Sequence, residues 1–411
     1  MADPPPLWIL LPSGQQASGE WIDDTLRERA GEAGLLDKVP LAARFPRQRV
    51  EVVRGADPEA EVGRRFLLRG WTDGLPIVAP TIGRVEEALS WTAAARDEVL
   101  GELDPLKGLA TVEKVAANAV MAGCRPEYLP VVIAAVRAIA DPAFNLRGVQ
   151  TTDENVTPLV VVCGPVARAI GVNASFGALG PGWPANAAIG RAVRLVMNNI
   201  GGGWPGAVSF AGLGQPGRYT LCLAERTDHS PWPPLHVDLG FGADESAVVV
   251  LRAESAINVT GGLADLASVI GSAASAFTML HGGVAAVVLA PFVAGELAAQ
   301  GLAKADVKRR LWLDGRMPSP VWRRTWLHER LIGARQWPQW VLEAAEREGA
   351  IPAVASPDDL VVLVAGGDIP IPQCAYFPSW GFPRCLVSRP VDLSPGWHAR
   401  LARIPRPGGP G

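Results

Sequence analysis

Hydrophobic side chains make up 48% of the 411 residues and charged ones only 19%, with a formal net charge of −3 and a pI near 6.0. So little charge, against roughly 25% in an average globular chain, implies a large buried core and excludes wholesale disorder. It also points to a homo-oligomer that covers part of its own surface. The slightly acidic balance lacks the basic stripe of a nucleic-acid binder, so a small-molecule partner is expected instead.

Residues 1–56 show no clear periodicity and are expected to be a short leader. They contain an apolar stretch at Leu7–Leu11 but no basic segment before it, so no secretory signal is read. Residues 57–393 form the expected main α/β region, divisible into two lobes near 240–260, and 394–411 a mobile Pro/Gly tail. Within the main region, apolar runs bounded by Gly or Pro alternate with helical patterns. The expected strands are Ile77–Ala79, Pro158–Cys163, Thr220–Ala224, Ala247–Leu251, Val284–Leu289, Leu360–Ala365 and Cys385–Ser388. Expected helices are Arg84–Arg96, Val112–Gly123, Pro126–Ala140, Pro184–Ile200, Ala264–Leu280, Val293–Gln300, Lys304–Leu313 and Pro338–Glu348. Several strands are apolar at nearly every position, as strands covered on both faces must be. The alternation predicts an α/β fold with a mixed, largely parallel sheet, covering helices and long Gly/Pro/Trp-rich loops that carry the site. A faint echo of strand, proline, helix links Val160–Ala169 to Val287–Leu297.

No charged residue falls between Leu266 and Gly295, a run longer than the ~18 residues that raise a membrane-span reading. His281-Gly282-Gly283 and Pro291 interrupt it, so helix, turn, strand and a second helix of buried core are expected, and no membrane.

Five cysteines, Cys124, Cys163, Cys222, Cys374 and Cys385, are scattered without a CxxC pair. Reduced thiols and a cytoplasmic location fit that pattern. Cys124 precedes Pro126 at an expected helix start and adjoins Arg125. Both features lower a thiol pKa and favour a nucleophile, with Glu127 in the same first turn; a buried structural cysteine is the alternative.

The segment Glu225 to Asp238 carries two histidines and several carboxylates on a Pro-rich loop. His229, His236, Glu225 and Asp238 are donors suited to a single Zn or Fe ion; the other reading uses no metal. Without one, His236 serves as general base, oriented by Glu225. The loop Gly177–Trp183 feeds a helix at Pro184, and its Gly180 and Gly182 present backbone N–H groups to an anion. Asn186 and Arg191 on that helix would clamp a carboxylate. Thr151 and Thr152 lie before the strand at Pro158, where polar residues often line sites. Asp73 in Trp-Thr-Asp-Gly is a smaller signal of the same kind.

Long runs in these same segments resemble a bacterial family known as the UGSC-type (seleno)proteins. They are TDGLPIVAPT (72–81), LATVEKVAANAVMAGCRPEYLPVVIAA (109–135), GVQTT (148–152), VVVCGP (160–165), LGPGWPANAAIGRAVRLVMNNIGG (179–202), SPWPPLHV (230–237), VVLAP and AAQGLAKADVKRRL (287–311). The resemblance covers roughly residues 70–390. It implies a large α/β region that follows a selenocysteine- or cysteine-Gly-Ser-Cys segment, and hence thiol or selenol redox chemistry. Residues 1–56 hold no cysteine and no counterpart of that segment.

The expected function is an enzyme on a small anionic organic molecule, with lyase-like or hydrolytic cleavage next to a heteroatom. Cys124, His236, Glu127 and Glu225 would do the chemistry, while Asn186, Arg191, Gly180, Gly182, Thr151 and Thr152 hold the substrate. The competing readings are a metal-dependent enzyme, a thiol redox protein, and a non-catalytic binding or assembly subunit.

Overall fold

The computed structural model describes residues 5–12, 50–281, 283–331, 336–380 and 385–404. Its strands in chain order are β1 (Leu7–Leu10), β2 (Val50–Val53), β3 (Val99–Leu103), β4 (Gly108–Thr111), β5 (Thr157–Cys163), β6 (Cys222–Ala224), β7 (Ala247–Ala253), β8 (Ile257–Thr260), β9 (Ala285–Leu289), β10 (Arg316–Pro318), β11 (Ala350–Pro352), β12 (Leu360–Val364), β13 (Gln373–Phe377) and β14 (Val387–Pro390). Two four-stranded sheets form the centre, in the orders β14-β7-β5-β6 and β12-β9-β13-β8.

Alternation of side chains along each strand assigns the layers. Leu159 and Val161 of β5, Leu223 of β6 and Val249 and Leu251 of β7 join Ala286 and Val288 of β9, Val361 and Leu363 of β12 and Phe377 of β13 in one buried cluster. The sheets therefore pack face to face. The intervening residues Val160, Val162, Val248 and Val250 face helices Val112–Met121, Leu129–Ile139 and Pro184–Val196. On the far side Ala285, Val287, Leu289, Val362 and Tyr376 face helices Leu263–Ile270, Pro291–Ala299 and Lys304–Asp314. The molecule is a four-layer α/β/β/α sandwich.

Both sheets repeat one plan. A strand (β5 or β9) leads through a proline-started helix and a second helix toward a parallel neighbour (β6 or β12), the second half adding β10, β11 and the helices between them before β12. An antiparallel strand (β7 or β13) then pairs on the first strand's other side. The chain next crosses to the opposite sheet: β8 pairs with β13, and β14 pairs with β7. Each half thus lends its last strand to the other. The strand–Pro–helix echo in the sequence marks this repeat.

The α/β class is observed, but the expected largely parallel sheet is not. Only β5·β6 and β9·β12 pair in parallel; the other ladders among the described residues are antiparallel. A strand such as β7 (AVVVLRA) reads as parallel because it is apolar throughout, yet in a four-layer sandwich antiparallel strands are equally covered on both faces. The expected strand Ile77–Ala79 is irregular, and the long expected helix Ala264–Leu280 is broken, with helices at Leu263–Ile270 and Ala276–His281. No single helix among the described residues is long and apolar enough to cross a membrane.

The leader and tail boundaries also shift. Leu7–Leu10 pairs with Val50–Val53, and Ile9 and Val53 are buried in the main core, so the described part of the leader belongs to the fold. At the other end Trp397 opens a helix (Trp397–Leu401) and packs edge-on against Trp91, with ring centroids 6.2 Å apart. Residues 405–411 of the expected tail lie outside the described residues.

The two crossovers touch. The Glu254 N–H, between β7 and β8, donates to Pro378 O (2.9 Å) just after β13. One Glu254 carboxylate oxygen is buried without a partner, and burial together with the Glu154 carboxylate pushes its pKa up to about 8. The folded protein therefore keeps a proton that the unfolded chain releases near ~4.3, and stability falls as pH rises from there to about 8. Glu254→Gln should flatten that slope. Unfolding free energies from urea titration should coincide with wild type at pH ~4 and exceed it at pH ~8.5.

Candidate functional site

Polar chemistry collects where β5 and β6 end. A cavity of about 780 Å³ opens there, floored by Cys163 at the end of β5, by Gly164 and by Glu225 and Arg226 after β6. This is the carboxyl edge of a parallel pair, the place where open α/β sheets bind ligands.

Local sequence shapes each wall. At Gly164 (φ +81°) a Cβ would lie 2.1 Å from Glu245 O, so only glycine allows the turn. Pro165 then starts the helix Pro165–Ala169, whose Val166 N–H donates to Ser246 Oγ (3.0 Å). That helix carries Arg168, an exposed cation on the cavity without an ion-pair partner among the described residues. Arg226, opposite, donates to Asp228 Oδ1 (3.0 Å) and Ser175 Oγ (2.7 Å). Pro233 and Pro234 stiffen the approach to the short helix Leu235–Asp238, which brings His236 over the floor.

Glu225 and His236 are 7% and 1% exposed, and both line this cavity. Glu225 Oε2 accepts the Leu235 N–H (2.6 Å), while Oε1 has no hydrogen-bond partner and lies 4.0 Å from Lys304 Nζ. Burial raises the Glu225 carboxyl above the ordinary range, against the pull of Lys304. Neither ring nitrogen of His236 has a hydrogen-bond partner among the described residues. Burial lowers its pKa, opposed by the Ala243 backbone beside it and by Glu245 and Asp238. Cys163 lies beside the Glu225 carboxylate and the His236 backbone, and burial pushes its thiol pKa far up. Burial thus favours the protonated carboxyl at Glu225, the neutral imidazole at His236 and the thiol at Cys163.

The remaining expected site residues lie elsewhere or are already engaged. Cys124 is not an activated thiolate: its sulfhydryl donates to Ala188 O (3.3 Å), and burial drives its pKa far up despite Arg191 nearby. Glu127 is buried and paired with Arg125 (2.7 Å). Arg191 grips both Asp73 oxygens (2.7 and 2.8 Å) and the Pro76 carbonyl, leaving no fork for a substrate. Asn186 is a bracket: it accepts from Asn173 N–H and donates to the carbonyls of Asn173, Ala178 and Cys222. It shapes the cavity wall at Asn173 but has no capacity left for a ligand. Gly180 and Gly182 sit in an exposed turn outside the cavity lining, where the Gly180 N–H is taken by Gly177 O. Thr151 closes its own helix by donating to Arg147 O, and Thr152 accepts the Glu154 N–H.

The expected metal set is also dispersed. His229 is partly exposed and faces Asp368 (3.1 Å), while Asp238 is held by Lys304 (2.7 Å). Among the described residues no group of three His, Cys, Asp or Glu side chains stands close enough to hold a metal ion. Closeness in sequence misled here, because the prolines splay the donors and the Lys304 ammonium occupies the centre of the carboxylates. Cys163, Arg168 and Arg226 were missed as site residues. The usable signal for Cys163 was its position at a strand end before Gly-Pro.

Comparison with protein-family models, with curated proteins and with solved structures returned no match. The site is therefore read from its own geometry.

Lys304 also donates to Pro233 O (2.5 Å), so it ties the His236 segment to the floor. At a pH high enough to ionise Glu225, Lys304→Met should destabilise the fold by roughly 3 kcal/mol, because it leaves that buried carboxylate without its cation. Adding Glu225→Gln should recover about 1 kcal/mol or more of that loss in urea unfolding. Additive losses would show that Lys304 does not act through Glu225.

Proposed function

We propose that the chain is an enzyme acting on a small organic anion at the Glu225–His236 cavity, by elimination next to a heteroatom. The observation that carries the reading is that two titratable side chains, each more than nine-tenths buried, bring unpartnered polar atoms to one cavity. Unsatisfied buried groups are costly, and catalytic sites are where such groups persist. Burial raises the Glu225 pKa and lowers that of His236, so both environments favour the uncharged forms, a carboxylic acid beside a neutral imidazole.

Arg168 and Arg226 attract the anion to the mouth. His236 takes the proton from the carbon beside the anionic group. The electron pair forms a double bond as the carbon–heteroatom bond breaks, and Glu225 gives its proton to the departing heteroatom. Water exchange then returns the pair to its starting state. Cys163, held as a thiol, provides a polarizable wall rather than the attacking group. A thiol redox role is less well supported, since Cys163 is the one sulfur lining this cavity among the described residues. The resemblance to UGSC-type proteins is kept within this proposal: Cys163 and His236 both fall in runs that carry it. The free cysteines suit a reducing compartment.

Incubation with a panel of carboxylates bearing a β-heteroatom, read by mass spectrometry, tests the reading. Glu225→Gln and His236→Asn should each lower turnover by about 10²–10⁴-fold. The wild-type pH profile should rise as His236 loses its proton below the usual imidazole range and fall as Glu225 ionises. Each variant should flatten its own limb. Two variants with wild-type turnover on a converted substrate would overturn the assignment.

A further inference from the structure

A second cavity, about 560 Å³, lies at the opposite end of β5 and is built quite differently. Thr72, Asp73, Arg194, Asn198 and Arg218 supply its polar groups, and Trp204, Leu213 and Tyr219 its apolar walls. We infer that it is a separate binding site for an organic carboxylate with an apolar or aromatic body.

The charge arrangement is the first ground. Arg194 is 6% exposed, and neither it nor Arg218 has an ion-pair partner among the described residues. The carboxylate on the wall is Asp73, and Arg191 holds both of its oxygens from outside the cavity. Arg194 spends Nε on Arg218 O (2.8 Å) and Nη2 on Thr157 Oγ1 (3.1 Å), and Arg218 spends Nη2 on Ser209 Oγ (2.7 Å). Guanidinium donors remain on both residues. Burial and the neighbouring Arg218 drive the Arg194 pKa down to about 9, more than Asp73 restores. Arg194 sits in the last turn of helix Pro184–Val196, where the dipole offers only about half a negative charge against two cations.

Two further observations point to a ligand rather than a bare ion. The helix widens into a π-helical turn, Met197–Gly201, which sets Asn198 on the cavity. Asn198 is 4% exposed, and its side-chain oxygen has no hydrogen-bond partner among the described residues. At the mouth Leu213 is 97% exposed, with Phe210 and Tyr219 exposed beside it in sequence. A loop that leaves three large apolar side chains in water is suited to closing over an apolar body. The volume is in the range of small-ligand sites, ~300–1,000 Å³, and a planar carboxylate matches the guanidinium forks.

Isothermal titration of the full chain with 3-phenylpropionate, its neutral amide and inorganic phosphate tests the site. Saturable binding of the carboxylate is expected, weakened at least about tenfold by Arg218→Gln and by Leu213→Glu. Glu225→Gln, in the other cavity, should leave it unchanged. Leu213 is on the surface, so its variant folds even where loss of Arg218 does not, and circular dichroism checks both. The inference is overturned by amide binding as tight as the acid, by phosphate binding as tight as the acid, by affinity that ignores both variants, by affinity that follows Glu225→Gln, or by no saturable binding.

Discussion

Sheet packed on sheet is the constraint from which everything else follows. Because helices cover the outer faces, β5, β7, β9 and β12 have no wet side, and each is buried at every position. A strand in that setting has no place for a working carboxylate or imidazole along its length. Polar chemistry is displaced to the strand ends. Cys163, the last residue of β5, with Gly164 after it, and Glu225-Arg226 after β6 occupy those positions, and His236 reaches them from a rigid proline segment.

The internal repeat shows how selective that displacement is. Leu289-Ala290-Pro291 follows the plan of Cys163-Gly164-Pro165, and Leu289 pairs with Val364. One step beyond the β5·β6 register the matching pair is Cys163 and Glu225. The first half thus has a thiol and a carboxyl where the second has two aliphatic side chains. The second half instead buttresses the first: Val364 O accepts the Arg226 N–H (2.7 Å), and Gly366 N–H donates to Ala174 O (2.7 Å). Lys304, from the second helix after β9, pairs with Asp238 and lies 4.0 Å from Glu225. One half holds the site, and the other holds it still.

Elements with strong local signatures were legible in the sequence. Thr111 caps Val112–Met121 by accepting the Lys114 N–H, Pro184 starts Pro184–Val196, and the Val-rich runs are strands, as read. Strand direction was not legible, because hydrophobic period reports which faces are covered and not which way the chain runs. β8 and β13 were missed for a related reason: short strands with mixed polarity, such as INVT, look like loop until the opposite half supplies their partner. In the candidate site, Glu225 and His236 could be paired in advance because they lie eleven residues apart in one segment. Cys124 and Arg191 were misjudged because their true partners, Ala188 O and Asp73, are 64 and 118 positions away. Spacing shows that a side chain can act; it does not show that its capacity is already used.

That distinction explains why the two cavities differ in kind. Asn186 and Arg191 looked like ligand-binding groups and are structural, since the Asn186 amide is spent on backbone and the Arg191 charge is paired with Asp73. Arg194, one turn further along the same helix, is buried without an ion-pair partner among the described residues. The deciding quantity is the balance of donors, acceptors and charge after folding, not residue type. At the β5–β6 edge the balance leaves a carboxyl oxygen and an imidazole, groups that exchange protons. At the far end of β5 it leaves two guanidinium cations that do not release theirs near neutral pH. The first set is suited to changing a molecule, and the second to holding one.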